Sequence, residues 1–178
     1  ADAHELKSTD RIVVTEAGPG RARLEATGKG AHASLPDDGI NAIGLIVDYL
    51  LENGLCGADE RAFLELDQKL LNHTDGSGVG IKSSDEYFGP LTVIGGTIAL
   101  KDDRFVQTVD SRFPTSITAD EITERLRQLA EEIGGSFEST LLMEPFLVKP
   151  DSPVIQALLN AYNEATGEDA KPFTMGGG

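Results

Sequence analysis

The spacing of apolar residues along the chain predicts four helices. In the first, residues 43–53, apolar side chains recur at intervals of three and four and share one stripe: Ile43, Ile46, Val47, Leu50 and Leu51. Residues 59–72 are rich in helix-forming side chains with apolar anchors among them. Apolar periodicity returns in residues 119–133 and 153–166. Helices are therefore expected in both halves of the chain.

Capping signals support the last two of these helices. Thr118 and Glu121 have the spacing of a capping box, in which each side chain accepts a hydrogen bond from the backbone amide of the other residue. Ser152 is suited to cap the last helix, and Pro153 fits its first position, where no backbone N–H is needed. These signals predict where both helices begin.

Two segments near the N-terminus have the character of β-strands. Residues 11–15 are rich in β-branched side chains, and the Ala-Gly-Pro-Gly sequence at 17–20 is a turn signal. In residues 22–26 apolar and charged side chains alternate, which is typical of a strand with one face in water. The second strand leads directly towards His32.

Three further runs complete the predicted strands. Residues 91–100 and 104–110 are joined by a short acidic turn, as in a β-hairpin, and Gly95-Gly96 in the first run indicates a bulge or a close backbone approach. Residues 136–148 are predicted to form a last strand, which Pro145 confines to an edge or divides in two.

The order of these elements predicts the fold class. The predicted order is that of a ferredoxin-like βαββαβ sandwich, an α+β fold with one antiparallel sheet and its helices on one face. It runs strand, helix, helical insertion, two hairpin strands, helix and strand. The segment after Pro150 has no place in that sheet. We therefore expect it to belong to a neighbouring domain, with a further strand starting at residues 171–175.

Composition and charge narrow the classes of function. The 178 residues include 15 Lys and Arg against 30 Asp and Glu, for a formal net charge of −15. That charge argues against nucleic acid or an anionic membrane as a partner, because both are negatively charged themselves. No apolar run approaches the roughly 18 residues of a transmembrane helix, and the N-terminus lacks the features of a signal peptide. We expect a globular cytoplasmic protein.

Both ends of the sequence suggest a fragment of a longer protein. The chain opens without methionine and stops at three glycines that carry no side chain to pack: Gly176, Gly177 and Gly178. Bare backbone amides in such a run can bind an anionic group, although a glycine run alone is a weak signal.

His32 is the first candidate for chemistry. It lies between Ala31 and Ala33 at the end of a predicted strand, where small neighbours leave the imidazole free to reach an incoming carbonyl oxygen. Gly28 and Gly30 are expected to supply backbone angles that other residues avoid. Composition alone leaves the alternative open that His32 is a loop histidine without a role.

Arg112 is the second candidate. It ends a predicted hairpin strand just before the loop that leads to a helix, and a guanidinium there can bind a carboxylate through two parallel hydrogen bonds. The alternative is a surface salt bridge with one of the many acidic residues, and the sequence does not decide between the two.

A metal site within the chain has little support. His73-Thr74-Asp75 has the His-x-Asp spacing of some zinc sites, but it lies in a Gly/Ser-rich loop without a second histidine nearby. A catalytic zinc needs about three protein ligands on rigid elements. We also find no series of nucleophile, base and orienting residue.

Three motifs resemble those of a known family. The sequence TGKGAHAS at 27–34, followed by Pro36, Gly39, Asn41 and Ala42, resembles the lid-domain signature of dinuclear zinc dipeptidases of the PepV, carnosinase and aminoacylase type. The Ser-Arg-Phe-Pro sequence at 111–114 is similar to the arginine strand of the same lid. Residues 174–178 resemble the opening of the family's glycine loop. The motifs occur in the family's order and cover residues 21–178.

The resemblance implies a hydrolase in which two zinc ions, bridged by a carboxylate and a water, attack a peptide bond with a glutamate as general base. It implies that His32 stabilises the oxyanion from the lid and that Arg112 binds the terminal carboxylate of a dipeptide or N-acyl amino acid. The glycines at 176–178 would line the substrate pocket. The metal ligands and the base lie outside this sequence, so the chain alone is expected to bind no catalytic zinc and to be inactive.

The resemblance also implies a domain division. Residues 1–20 would be a linker or strand at the junction with the catalytic domain, residues 21–149 the lid, and residues 150–178 the start of the returning catalytic domain. The partners implied are the remainder of the chain, the substrate and, left open, a second copy bound through the lid. The alternative is a free-standing ferredoxin-like module that binds a small ligand or dimerises.

Overall fold

The computed structural model describes residues 6–175, which form four α-helices and six strands. In chain order these elements are β1 Ile12–Glu16, β2 Ala22–Ala26, α1 Ala42–Glu52, α2 Ala58–Asn72, β3 Ser84–Asp85, β4 Gly89–Pro90, β5 Thr92–Lys101, β6 Arg104–Arg112, α3 Ala119–Glu132 and α4 Pro153–Thr166. The α+β class is confirmed, and the arrangement is compatible with a ferredoxin-like fold.

The predicted helices agree with the structure to within a residue at each end. α1 begins after Asn41, whose side-chain oxygen accepts a hydrogen bond from the Ile43 amide at 2.9 Å. The capping box before α3 is present, because Thr118 Oγ1 accepts from the Glu121 amide at 3.2 Å and Glu121 Oε2 accepts from the Thr118 amide at 2.9 Å. Local capping chemistry therefore determines these helix starts.

The β5–β6 hairpin is the longest paired element. Its turn residues Asp102 and Asp103 both have positive φ, 48° and 57°, and such backbone angles match the right-handed twist of the two strands. The predicted bulge is present as a register shift between Gly95 and Ile98. A side chain at Gly95 would collide with Gln107 and would come within 2.6 Å of Leu71 Cδ2, so the helix layer packs directly onto bare backbone here.

The strands pair differently from the prediction. They form three antiparallel two-stranded sheets, β1–β2, β3–β4 and β5–β6, where a single sheet was expected. The predicted strand at 136–148 has no regular secondary structure, and neither has the segment at 171–175. An apolar run becomes a strand only where a neighbouring strand accepts its backbone hydrogen bonds, and the local sequence does not specify that partner.

The core lies between the hairpin and the helices. One cluster of buried side chains joins β5, α2 and α3: Leu70, Val79, Ile81, Leu91, Val93 and Ile122. A second cluster joins α1 to α2: Val47, Leu64 and Leu71. Val93 faces this core, so its strand neighbours Thr92 and Ile94 face the opposite side of the hairpin. Within residues 6–175, no helix has the length and apolarity needed to cross a membrane.

Candidate functional site

The loop that carries His32 is closed at its base by backbone contacts. Lys29 and Ile40 exchange two hydrogen bonds, at 2.9 and 2.8 Å, which bring the two arms of the loop side by side. A Cβ at Gly28 would lie 2.5 Å from the Ile40 carbonyl oxygen, and one at Gly39 would lie 2.8 Å from Ala31 Cβ. The arms therefore approach closely because glycines stand at both places.

The sequence predicted that Gly28 and Gly30 supply backbone angles that other residues avoid, and the structure shows that this prediction is wrong. Neither Gly28 nor Gly30 has a positive φ, and a Cβ at Gly30 would meet nothing within 4 Å. Gly28 is required by close packing, whereas Gly30 is free of steric constraint from its surroundings.

Two side-chain hydrogen bonds attach this loop to strand β5. Thr92 Oγ1 donates to the Ala33 carbonyl oxygen at 3.0 Å. Asn41 Nδ2 donates to the Gly95 carbonyl oxygen at the bulge, at 2.8 Å, while its Oδ1 caps α1. The loop is therefore attached to strand β5 at two points, beside His32 and at the start of α1.

His32 is exposed at the outer part of the loop. Its Nδ1 lies 2.8 Å from Ser34 Oγ and accepts a hydrogen bond from the Ser34 amide at 3.3 Å. The Leu35 amide donates to the His32 carbonyl oxygen at 2.8 Å, which closes the turn that brings Ser34 back to the ring. One ring nitrogen is thus engaged by the loop, and Nε2 is left for an incoming group.

Arg112 ends strand β6 and forms a two-point ion pair with Asp110. Its Nε donates to Asp110 Oδ1 at 2.8 Å and its Nη2 donates to Asp110 Oδ2 at 3.0 Å. The arginine and aspartate side chains are 36% and 43% exposed, so the pair is reachable from solvent. A salt bridge, the alternative left open by the sequence, is therefore present, and it leaves Nη1 and one N–H of Nη2 for a ligand.

The structure brings the His32 loop to the Arg112 end of the hairpin. Thr92 and Arg112 are directly paired across β5 and β6, so their side chains project from the same face. Because Thr92 also binds the carbonyl oxygen of Ala33, the residue next to His32, one threonine side chain connects the two candidate regions. This juxtaposition was not visible in the sequence.

The remaining candidates lie elsewhere. Asp75 pairs with Lys82 Nζ at 2.8 Å and accepts hydrogen bonds from Ser77, and the hydrogen bond from Lys82 is the main cause that lowers its pKa. His73 follows the end of α2 and packs close to Gly78. Among residues 6–175, no group of three or more His, Cys, Asp or Glu side chains could hold a metal ion.

The glycine run at 176–178 lies outside the described residues. The segment that leads to it is attached near the β3–β4 turn, where Thr174 Oγ1 donates to the Tyr87 carbonyl oxygen at 2.6 Å.

Three residues of the site were missed in the sequence: Ser34, Thr92 and Asp110. Two of them had a signal. Asp110 precedes Arg112 by two positions, and residues two apart on a strand share a face. Ser34 follows His32 by two positions, where serine commonly bonds to a neighbour in a turn. For Thr92 no local signal existed, because its partner Ala33 is 59 positions away.

Comparison with known proteins gives a consistent group of relatives. No protein-family model matches the chain. It is 26% identical over 157 residues to "Putative dipeptidase" of Staphylococcus epidermidis, covering 87% of this chain and 33% of the relative. It is 29% identical over 158 residues to "Putative dipeptidase SSP1012" of Staphylococcus saprophyticus, with 87% and 33% covered.

A third relative extends the match along the chain. Identity to "Putative dipeptidase YtjP" of Bacillus subtilis is 27% over 174 residues, which covers 97% of this chain and 37% of the relative. The chain spans about a third of the length of these relatives. It is therefore similar, over most of its length, to one part of longer proteins whose names all begin with "Putative dipeptidase".

Proposed function

We propose that this chain is the substrate-capping lid of a longer zinc-dependent dipeptidase, in which His32 stabilises the oxyanion and Arg112 binds the substrate carboxylate. The similarity to proteins named as dipeptidases supports a peptidase-like function for the whole. The observation that carries the role of the lid is the bond from Thr92 to Ala33, which holds the His32 loop beside Arg112.

His32 has the properties required of an oxyanion donor on a lid. It is exposed, its Nδ1 is occupied by Ser34, and its loop is anchored to the hairpin at two points. A positioned donor that meets the developing negative charge lowers the barrier, since the charge is largest in the transition state. The chain supplies this donor without supplying a nucleophile.

Arg112 has donors left for a substrate carboxylate. Asp110 takes the edge formed by Nε and Nη2, so the guanidinium is held in a fixed plane. The end of the guanidinium formed by Nη1 and Nη2 can then donate two parallel hydrogen bonds to a second carboxylate. In this proposal Asp110 orients Arg112 and the C-terminal carboxylate of the substrate binds at the free end.

Zinc belongs, in this proposal, to the remainder of the longer protein. The described residues do not fit a dinuclear zinc site, because they contain no cluster of three or more ligating side chains. The two zinc ions and the general base implied by the family resemblance would come from the segments that precede and follow this chain.

The exposed apolar surface supports a domain division at about residue 150. The described residues of α4 contain no buried position, and Val154, Leu158 and Tyr162 on its apolar face are 57%, 63% and 50% exposed. We propose residues 1–20 as the junction, 21–149 as the lid and 150–178 as the start of the returning catalytic domain. A cytoplasmic location and a homodimer formed through the lid are parts of the same proposal.

The test is a peptidase assay on the full-length protein that contains this chain, with added divalent metal and a panel of dipeptides. Replacing His32 by Ala should lower kcat roughly a hundredfold or more, the loss typical of one oxyanion donor, and should leave the zinc content unchanged. Lys29→Ala, an exposed change in the same loop, is the matched control and should retain full turnover.

Two results would overturn the proposal at different levels. Absence of hydrolysis of any dipeptide or N-acyl amino acid by the metal-loaded full-length protein would reject the enzymatic function. Hydrolysis with near-normal kcat in the His32→Ala variant would retain the enzyme and reject the role given to His32.

The alternative of a ligand-binding module has one observation in its favour. An apolar cavity of about 480 Å³ lies between α1, α2 and the tip of the β5–β6 hairpin, with Ile46, Leu50 and Phe105 in its wall. A cavity of this size and character suits a small apolar ligand. The same peptidase assay separates the two functions, since a binding module would show no turnover.

A further inference from the structure

We propose that Ser34 is a positioning residue that holds the neutral His32 ring in the tautomer with its proton on Nε2. The backbone N–H and the side-chain hydroxyl of Ser34 both contact the Nδ1 atom of the His32 ring. The Ser34 backbone N–H lies 3.3 Å from Nδ1, and the Ser34 hydroxyl lies 2.8 Å from it. The inference concerns the same histidine as the proposed function, but its first test is independent of activity.

The tautomer follows from the kinds of donor and acceptor present. A backbone N–H can only donate, so Nδ1 must present a lone pair to the Ser34 amide. The hydroxyl can either donate or accept, and beside an unprotonated nitrogen it donates as well. A neutral imidazole carries one ring proton, which therefore resides on Nε2.

The orientation of the Ser34 amide is fixed from strand β5. The Ala33 carbonyl and the Ser34 N–H belong to one planar peptide unit, so anchoring one end orients the other. Thr92 Oγ1 donates to that carbonyl oxygen at 3.0 Å, on the side of the hairpin that carries Arg112. The hydrogen bond from Thr92 of β5 therefore also fixes the direction of the Ser34 N–H that contacts the His32 ring.

This tautomer suits the function proposed for His32 and rests on it for its catalytic meaning. With the proton on Nε2, the exposed nitrogen of His32 presents a donor to an oxyanion. The other tautomer would present a lone pair at Nε2 and would repel the same negative charge. Ser34 would then act on the reaction through His32, without touching the substrate.

The direct test is the ¹⁵N spectrum of the histidine rings in the 178-residue chain, recorded where the imidazole is neutral. Protonated and unprotonated ring nitrogens have distinct shifts, and His32→Gln identifies the His32 signals among the three histidines. We expect His32 to be protonated on Nε2. A ring protonated on Nδ1, or an even mixture of both forms, would overturn the inference.

Two variants test the part played by the hydroxyl. Ser34→Ala keeps the amide but loses the hydroxyl, and should raise the ratio of the Nδ1–H to the Nε2–H form by about twofold to tenfold, the range for one net hydrogen bond. Ser34→Thr retains the hydroxyl and should restore the original ratio. An unchanged ratio in a folded Ser34→Ala chain would overturn the role of the side chain.

In the full-length protein, Ser34→Ala should lower kcat in proportion to the fraction of His32 rings that leave the Nε2–H form, with KM unchanged, and Ser34→Thr should recover it. A loss confined to KM would contradict action through the His32 tautomer. Failure of the proposed function can be told apart from failure of this inference. An inactive full-length protein would reject the proposed function without changing the ¹⁵N result. A His32 ring protonated on Nδ1 would reject the inference even if the protein hydrolyses dipeptides.

Discussion

Asp67 makes the stability of this chain depend on pH in a way that can be predicted from its position. It lies in the middle of α2, is 3% exposed, and neither carboxylate oxygen has a hydrogen-bond partner among the described residues. One turn before it, Phe63 stacks on Phe105 of β6 at 5.1 Å, and one turn after it Leu71 packs near Gly95. Asp67 is therefore buried at the interface of α2 with the hairpin.

Burial raises the pKa of Asp67 from 3.8 to about 6, because the charged form loses its hydration. The folded state therefore favours the neutral carboxyl of Asp67 more strongly than the unfolded state does. At neutral pH, where the carboxyl is ionised in both states, this difference costs about 3 kcal/mol of stability, at 1.36 kcal/mol per pKa unit. Since the folded-state pKa is the higher one, the contribution of Asp67 to stability is greatest below the unfolded value of 3.8 and is lost as pH rises through about 6.

The assay is urea unfolding of the 178-residue chain at pH 5 and pH 7.5. Between these values the Asp67 contribution should fall by about 1.4 kcal/mol, as the folded carboxyl ionises. Asp67→Asn has the same shape without the charge, so the wild type should lose that amount relative to it. Glu65→Gln, which removes an exposed carboxylate from the same helix, is the control and should follow the wild type.

Equal pH dependence of the wild type and Asp67→Asn would refute the assignment of this effect to Asp67. A wild type that gained stability relative to Asp67→Asn on going to pH 7.5 would reverse the sign and show that the carboxylate has a partner when ionised. The comparison is made between variants because the carboxylates of Asp75 and Glu121, whose pKa values are lowered, contribute stability in the opposite direction at acid pH.

Two further predictions concern Arg112 and the bulge. In the full-length protein, Arg112→Lys should lower kcat/KM about tenfold to a hundredfold for dipeptides with a free carboxylate, because lysine cannot make the two-point contact. Arg104→Lys, at the other end of β6, is the control and should leave kcat/KM unchanged. An equal loss on C-amidated substrates would contradict a contact between Arg112 and the carboxylate. Gly95→Ala should destabilise the chain by about 1–3 kcal/mol in urea unfolding, because the new methyl collides with Gln107 and Leu71. Gly30→Ala, where nothing lies within 4 Å, is its control, and equal midpoints for the two variants would show that the bulge yields without cost.

Much of the local structure could be predicted because its causes are local. The stripe of α1, the capping box at Thr118 and the acidic turn of the hairpin each depend on residues a few positions apart. The bulge at Gly95 was also predicted, since glycine in a strand indicates a place where backbone or side chains approach closely. In these places the residues that determine the element lie close together in the sequence, so the sequence alone is enough to predict it.

The sheet arrangement could not be predicted in the same way. Residues 136–148 have strand-like apolar content, yet Leu141 and Phe146 are 76% and 84% exposed and no strand forms there. Asp67 shows the converse case, a charged residue that is buried. It lies three positions after Leu64 and three before Leu70, on the buried stripe of α2, and this spacing was the signal that the sequence contained.

If the proposed function is right, recognition of an anionic substrate by this chain has to come from contact, because the charge of the chain gives no long-range attraction. The chain carries a formal net charge of −15, so its overall field repels a carboxylate, and Asp110 neutralises the guanidinium of Arg112 locally. What remains at the Arg112 end of the hairpin is directional: free N–H donors of Arg112 held in a fixed plane, beside a loop that is hydrogen-bonded to the paired strand β5. Within the proposed function, selectivity for a substrate with a free carboxylate therefore depends on the geometry of the Arg112–Asp110 pair and of the Thr92–Ala33 bond, because net charge alone would disfavour such a substrate.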